Sequence, residues 1–146
     1  MKKILIIIAL LNVTFMVTPV SAGPASNALA TCMVDSLNGK ERKLLAKWIF
    51  LGMAAHPEMS QLSNVTKELQ AGSDKYIGEL VTRLLADDCS AEAKSALETE
   101  SSIALATAFE LVGKVAMQEL MTNKEVSVAL SGFEKHLDKE KLEVLN

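Results

Sequence analysis

The amino-acid sequence predicts an all-α fold: a single-domain, compact helical bundle of about five to six helices, stapled by one disulfide. Three observations lead there. Beyond residue 22 every segment places apolar residues at helical spacing, and no stretch alternates as a half-buried strand does. The composition is that of helices, rich in Ala, Leu, Glu, Lys and Met, with 4% aromatics and 3 prolines. The only two cysteines, Cys32 and Cys89, both fall in this helical part.

Residues 1–22 stand apart from the bundle. Lys2 and Lys3 precede an apolar run from Ile4 to Leu11, weakly extended through Val13, Phe15, Met16 and Val17. Pro19 breaks the run, and Val20-Ser21-Ala22 offers small residues ahead of Gly23. This is the pattern of a secretory signal peptide cleaved between Ala22 and Gly23. A spanning helix needs about 20 predominantly apolar residues, and Asn12, Thr14, Thr18 and Pro19 interrupt this one. Leu29-Ala30-Thr31-Cys32 resembles a lipobox, but Thr31 sits where Gly, Ala or Ser is expected and Cys32 lies far from the apolar run. The expectation is a helical domain over residues 23–146 with no stable membrane insertion after cleavage.

The helices follow in order. Leu29, Cys32, Met33, Ser36 and Leu37 form the stripe of the first, which Asn38-Gly39 is expected to close. The second, about residues 40–55, carries Leu44, Leu45, Trp48, Ile49, Leu51, Gly52, Met53 and Ala55. Apolar almost all round near its end, it is expected to be the buried central helix. His56-Pro57 stops it, because a residue before proline is pushed out of the helical region. From 57 to 72 the spacing predicts one or two short helices with Leu62, Val65 and Leu69 inward, and a break at Gly72-Ser73.

Tyr76, Ile77, Leu80, Val81, Leu84 and Leu85 then mark an amphipathic helix closing at Asp87-Asp88-Cys89, with Ser90 as the next N-cap. Residues 91–122 give the longest helical signal, bent near Glu98 to Ser102. Leu105, Phe109, Val112, Ala116 and Leu120 form its stripe, and Ala104, Ala108 and Gly113 allow a neighbour close approach. Asn123 caps a further helix with Val126, Leu130, Phe133 and Leu137 in register, and Asp138 starts a charged tail helix ending in Leu142 and Leu145.

Charge and cysteine usage narrow the function classes. Removing 22 of the 146 residues leaves 124, and losing Lys2 and Lys3 takes the basic count from 15 to 13 against 18 acids. The resulting net charge of −5 disfavours a nucleic-acid binder, which needs a basic surface. The mean hydropathy of +0.23 is inflated by the leader. In an oxidising compartment an isolated cysteine pair makes a single disulfide, here Cys32 to Cys89. Two buried free thiols are the alternative, and no Cys-x-x-Cys pair supports a redox site.

Three constellations could carry chemistry. Lys40, Arg42, Lys43 and Lys47 crowd the first turns of the second helix, where the macrodipole opposes cations, so something must offset them. They are candidates for docking an acidic partner or an anionic ligand, aided by the open amides of the helix start, or else a solvated face neutralised by Asp35 or Glu41. Met53, His56 and Met59 suit Cu(I) by chemistry, although methionines more often fill a core. The histidines His56 and His136 are far apart in sequence, and no nucleophile elbow, His-Glu-x-x-His or haem-attachment motif occurs. Glu98, Glu100, Glu110 and Glu119 could include a working carboxylate pair, but on a long helix they mark its wet face.

The stretch Cys32-x-x-Asp35, then Gly39-Lys40-Glu41-Arg42-Lys43-Leu44-Leu45-Ala46-Lys47-Trp48-Ile49-Phe50 and His56-Pro57, resembles an uncharacterised family of exported helical proteins of Gram-negative bacteria. Ala108-Phe109-Glu110-x-x-Gly113-x-x-Ala116-Met117 fits the same group. The resemblance implies a periplasmic location and no particular activity. Small exported helical proteins with a disulfide also include the immunity proteins that block type VI secretion amidases, a likeness in kind alone. The expectation is therefore a periplasmic, non-enzymatic protein without a cofactor, acting on a protein partner as an immunity, inhibitor or envelope accessory factor. The alternative is a small-ligand or copper binder, with an enzyme third.

Overall fold

Several of the helices begin at a local signal. The computed structural model describes residues 23–145, so the expected signal peptide over residues 1–22 lies outside the described residues. Helix α1 (Pro24–Ser36) opens with a proline in its first turn, where the missing N–H costs nothing. Helix α2 (Gly39–Ala54) opens on a reciprocal cap. The Asn38 side chain accepts from the Glu41 N–H at 3.0 Å, and the Glu41 carboxylate accepts from the Asn38 N–H at 3.0 Å. Asn38-Gly39 therefore starts the second helix rather than closing the first. Asn38→Ala is expected to cost about 1 kcal/mol, read as a lower urea midpoint at unchanged slope.

His56 caps the single turn α3 (Pro57–Ser60), and the Thr66 hydroxyl accepts from the Leu69 N–H at the head of α4 (Lys67–Arg83). Leu62, 81% exposed, and Leu69 do not turn inward, whereas Val65 is half-buried. Helix α4 also runs straight through Gly72-Ser73. One exposed glycine costs a helix about 1 kcal/mol, and the burial of Ile77 and Leu80 on the same helix outweighs it. A π-helical turn, Leu84–Asp88, follows and leads into Cys89.

Residues 91–122 are two helices rather than one bent helix. Helix α5 (Ser90–Glu100) and helix α6 (Ile103–Met121) are separated at Ser101, whose φ of 64° and ψ of −162° cannot continue a helix. Ser90 is the first residue of α5, not its cap; Cys89 holds that position with no side-chain bond. Helix α7 (Lys124–Leu130) is capped by Asn123 as expected, its side chain accepting from the N–H groups of Glu125 and Val126. It gives way to a 3-10 segment, Ser131–His136, then to α8 (Lys139–Leu142) and a last 3-10 turn, Glu143–Leu145. With three residues per turn the 3-10 segment loses the i, i+4 register, and Leu130, Phe133 and Leu137 stay exposed.

The fold is all-helical among the described residues, with six helices of seven residues or more and one disulfide. Its centre is α6, not α2. Ala104, Ala108, Val112 and Ala116 of α6 are buried, and that helix packs on α1, α2 and α5. Small side chains let three neighbours approach one axis, which bulky ones would forbid. The larger core groups come from the neighbours: Leu29, Met33 and Leu37 from the α1 segment, Leu45 from α2, Ile77, Leu80 and Leu84 from the α4 segment. Helix α2 instead leaves Trp48, Phe50 and Met53 partly in solvent.

Cys32 and Cys89 form a disulfide, with a Cα separation of 5.9 Å. It ties the middle of α1 to the residue that starts α5. The Glu100 carboxylate at the other end of α5 meets the first turn of α1, so these two helices run antiparallel. Arg83 adds a polar clasp nearby, reaching Glu41 at 2.9 Å and also Asp88, which joins the start of α2 to the end of α4 and the π turn.

Candidate functional site

The four basic residues divide once the helix is formed. Positions 40, 43 and 47 fall on one face of α2 and position 42 on another. The Arg42 guanidinium turns back and donates to the Leu37 carbonyl from Nε at 3.3 Å and Nη2 at 2.9 Å. It thus covers a carbonyl just past the end of α1, where the helix dipole favours a cation. This is the offset that a cation at the start of α2 requires. Glu41, in the same first turn, supplies a negative charge in addition. Arg42 is a fastening between helices, and Lys40, Lys43 and Lys47 remain exposed.

Two open grooves border that lysine face. One, of about 590 Å³, is lined by Lys43 of α2, Glu119 and Leu120 of α6, and Asn123, Glu125, Val126 and Ala129 around α7. Across it the Lys43 ammonium lies 4.0 Å from the Glu119 carboxylate, and both groups retain solvent access. Such a pair is held loosely and leaves the lysine available to another carboxylate. The second groove, of about 280 Å³, lies between α2 and α4 and is lined by Leu44, Lys47, Glu68, Leu69, Gly72, Ser73 and Tyr76. Beyond the first groove the chain carries Val128, Leu130 and Phe133, 62%, 53% and 61% exposed, and no described element other than α6 and the following 3-10 segment packs on α7.

Met53, His56 and Met59 are all exposed, so the two methionines are not the core filler their type suggests. The His56 Nδ1 accepts from the Glu58 N–H at 3.3 Å, which commits that nitrogen to capping α3. Among the described residues no three His, Cys, Asp or Glu side chains gather as a metal-binding group. His136 is exposed in the 3-10 segment.

The four glutamates have separate roles. Glu98 faces Lys94 along α5, Glu119 faces Lys43, and Glu110 is exposed. Glu100 is the one that sequence reasoning misplaced. Its carboxylate accepts from the Ala25 N–H at 2.8 Å, the Ser26 N–H at 3.1 Å and the Ser26 hydroxyl. The Ser26 hydroxyl above all holds its carboxyl below the ordinary carboxylate range; desolvation opposes it, and the Ala25 and Ser26 amides add to the lowering. The local signal was faint: Gly23-Pro24 opens a helix without any Ser, Thr, Asp or Asn to cap it. Asp74 was also missed; it accepts from the Trp48 indole and from Gln70, each at 2.8 Å, and pins α2 to α4.

Comparison of the chain with protein-family models, curated proteins and solved structures gives no match. No helix of the described residues is long and apolar enough to cross a membrane.

Proposed function

We propose that this is an exported, periplasmic protein that works without catalysis, by contact with an acidic protein partner. The observation that carries the reading is the open groove where Lys43 meets α7, because it sets the edge of the lysine face of α2 beside Leu120, Val126 and Ala129, near a segment that leaves Val128, Leu130 and Phe133 exposed. An exposed lysine face at the edge of apolar side chains fits a partner surface of opposite charge with an apolar heart, the usual anatomy of a protein interface. Immunity, inhibitor and envelope accessory proteins all work in this way. Two further features support the compartment: the leader pattern of residues 1–22 and a disulfide, which persists where conditions are oxidising.

The test is site-specific photocrosslinking in a Gram-negative host expressing the full chain. A crosslinker at Val126 is expected to yield one discrete adduct that contains a second, acidic protein. Lys43→Glu with Lys47→Glu should reduce that adduct at least tenfold, while Arg42 is left alone because it fastens α1. Equal adducts from Val126 and from the remote exposed position Lys94, or an adduct indifferent to the lysine reversals, would sink the reading.

A further inference from the structure

We propose that removal of residues 1–22 builds an internal ion pair: the ammonium newly formed on Gly23 is held by the Glu100 carboxylate and completes the cap of α1. The inference rests on the export reading above, and adds to it a structural purpose for the position of the cut.

The geometry begins with the head of α1. Gly23 stands at the N-cap with no side chain to offer, and the cap is supplied instead from α5 by Glu100, which takes the N–H groups of Ala25 and Ser26. Gly23 has φ −75° and ψ 169°, a backbone that any residue adopts, so conformational freedom does not explain a glycine there. A Cβ on Gly23 would overlap the Glu100 carboxylate and push that flexible group aside, off the head of α1. The Gly23 nitrogen is bonded to that same α-carbon, so a charge placed on it comes within reach of the flexible Glu100 side chain.

Charge is what the site lacks before cleavage. Among the described residues Glu100 pairs with no lysine or arginine; its partners are two amides and one hydroxyl. In the uncut chain the Gly23 nitrogen is a neutral amide. Hydrolysis of the Ala22–Gly23 peptide bond consumes one water, leaving a carboxylate on Ala22 and an ammonium on Gly23. An ammonium at the head of a helix opposes the helix dipole, which by itself lowers the amine pKa. Glu100 reverses that sign by favouring the charged form. Cleavage one residue later would remove Gly23, and cleavage earlier would move the charge away from the carboxylate.

The experiment uses the full chain, expressed with its leader in a Gram-negative host. Intact mass identifies the first residue, and NMR titration of the terminal amine gives its pKa. A chain beginning at Gly23 is expected, with an amine pKa about half a unit above the ordinary range of about 7.7–8.0, the size an exposed ion pair produces. In Glu100→Gln the value should fall into or below that range, and in Gly23→Ala, where a Cβ displaces the carboxylate, the rise should shrink. A chain that keeps residues 1–22 overturns the proposal through the export reading, and a cut at another position overturns the ion pair alone. An amine pKa within or below the ordinary range in a chain that does begin at Gly23 overturns the ion pair and leaves the export reading standing.

Discussion

Replacing both cysteines, Cys32→Ala with Cys89→Ala, is expected to lower the stability of the folded chain by about 4 kcal/mol. The cross-link joins residues 57 apart, and loop closure of that length restricts the unfolded ensemble by about this amount at 25 °C. Against a typical total of about 5–15 kcal/mol for a domain, the loss is a large fraction. This protein is placed to feel it, because among the described residues eight of the eighteen buried apolar ones are alanines, each contributing little area. Urea unfolding of oxidised, reduced and double-variant protein provides the measurement. The reduced and double-variant midpoints should coincide well below the oxidised one. If the double variant matched the oxidised protein, strain in the folded state would be cancelling the gain and the entropic account would be wrong.

Leu29→Ala should cost about 3 kcal/mol and lower Tm by about 10 °C. Leu29 is fully buried on α1, within the cluster that includes Ala104, Ala108 and Val112 of α6 and Ala93 and Ala96 of α5. The size of the effect depends on how well the surroundings collapse into the space left behind. Here collapse is hindered: the residues that α5 and α6 contribute to the cluster are alanines and one valine, too short to reach into the gap, and the disulfide limits movement of α1. A loss under 1 kcal/mol would mean that α1 can shift to close the gap, contrary to a rigid α1–α6 contact.

Much of the fold was legible in the sequence because periodicity reports burial where helices are long. The stripes on α1 and α4, the Asn123 cap and the Cys32–Cys89 pairing were read from local pattern and compartment. Errors arose where tertiary packing decided. Helix α2 carries more large apolar residues than α6 does small ones, yet close approach by three neighbours put α6 in the centre. Asn38-Gly39 is a stop signal and a start signal at once, and only the position of Glu41 three residues on resolves it. At the candidate site, the lysines were visible as a cluster, but not the division that takes Arg42 away to the Leu37 carbonyl. The contribution of α7 to the groove, and of Glu100 to α1, depends on residues 74 or more positions distant, which no local pattern encodes.

The central position of α6 also sets an order of events. Helices α1 and α2 both rest on a helix that begins at Ile103. A chain passing through a narrow channel from its N-terminus delivers these two first and their common support near the end. During that interval Leu29 and Met33 have no core to enter, and the Cys32 thiol waits for Cys89. Such long-range closure is slow compared with local helix formation. If the chain is exported as proposed, it stays threadable for most of that passage and locks only once its last long helix has arrived.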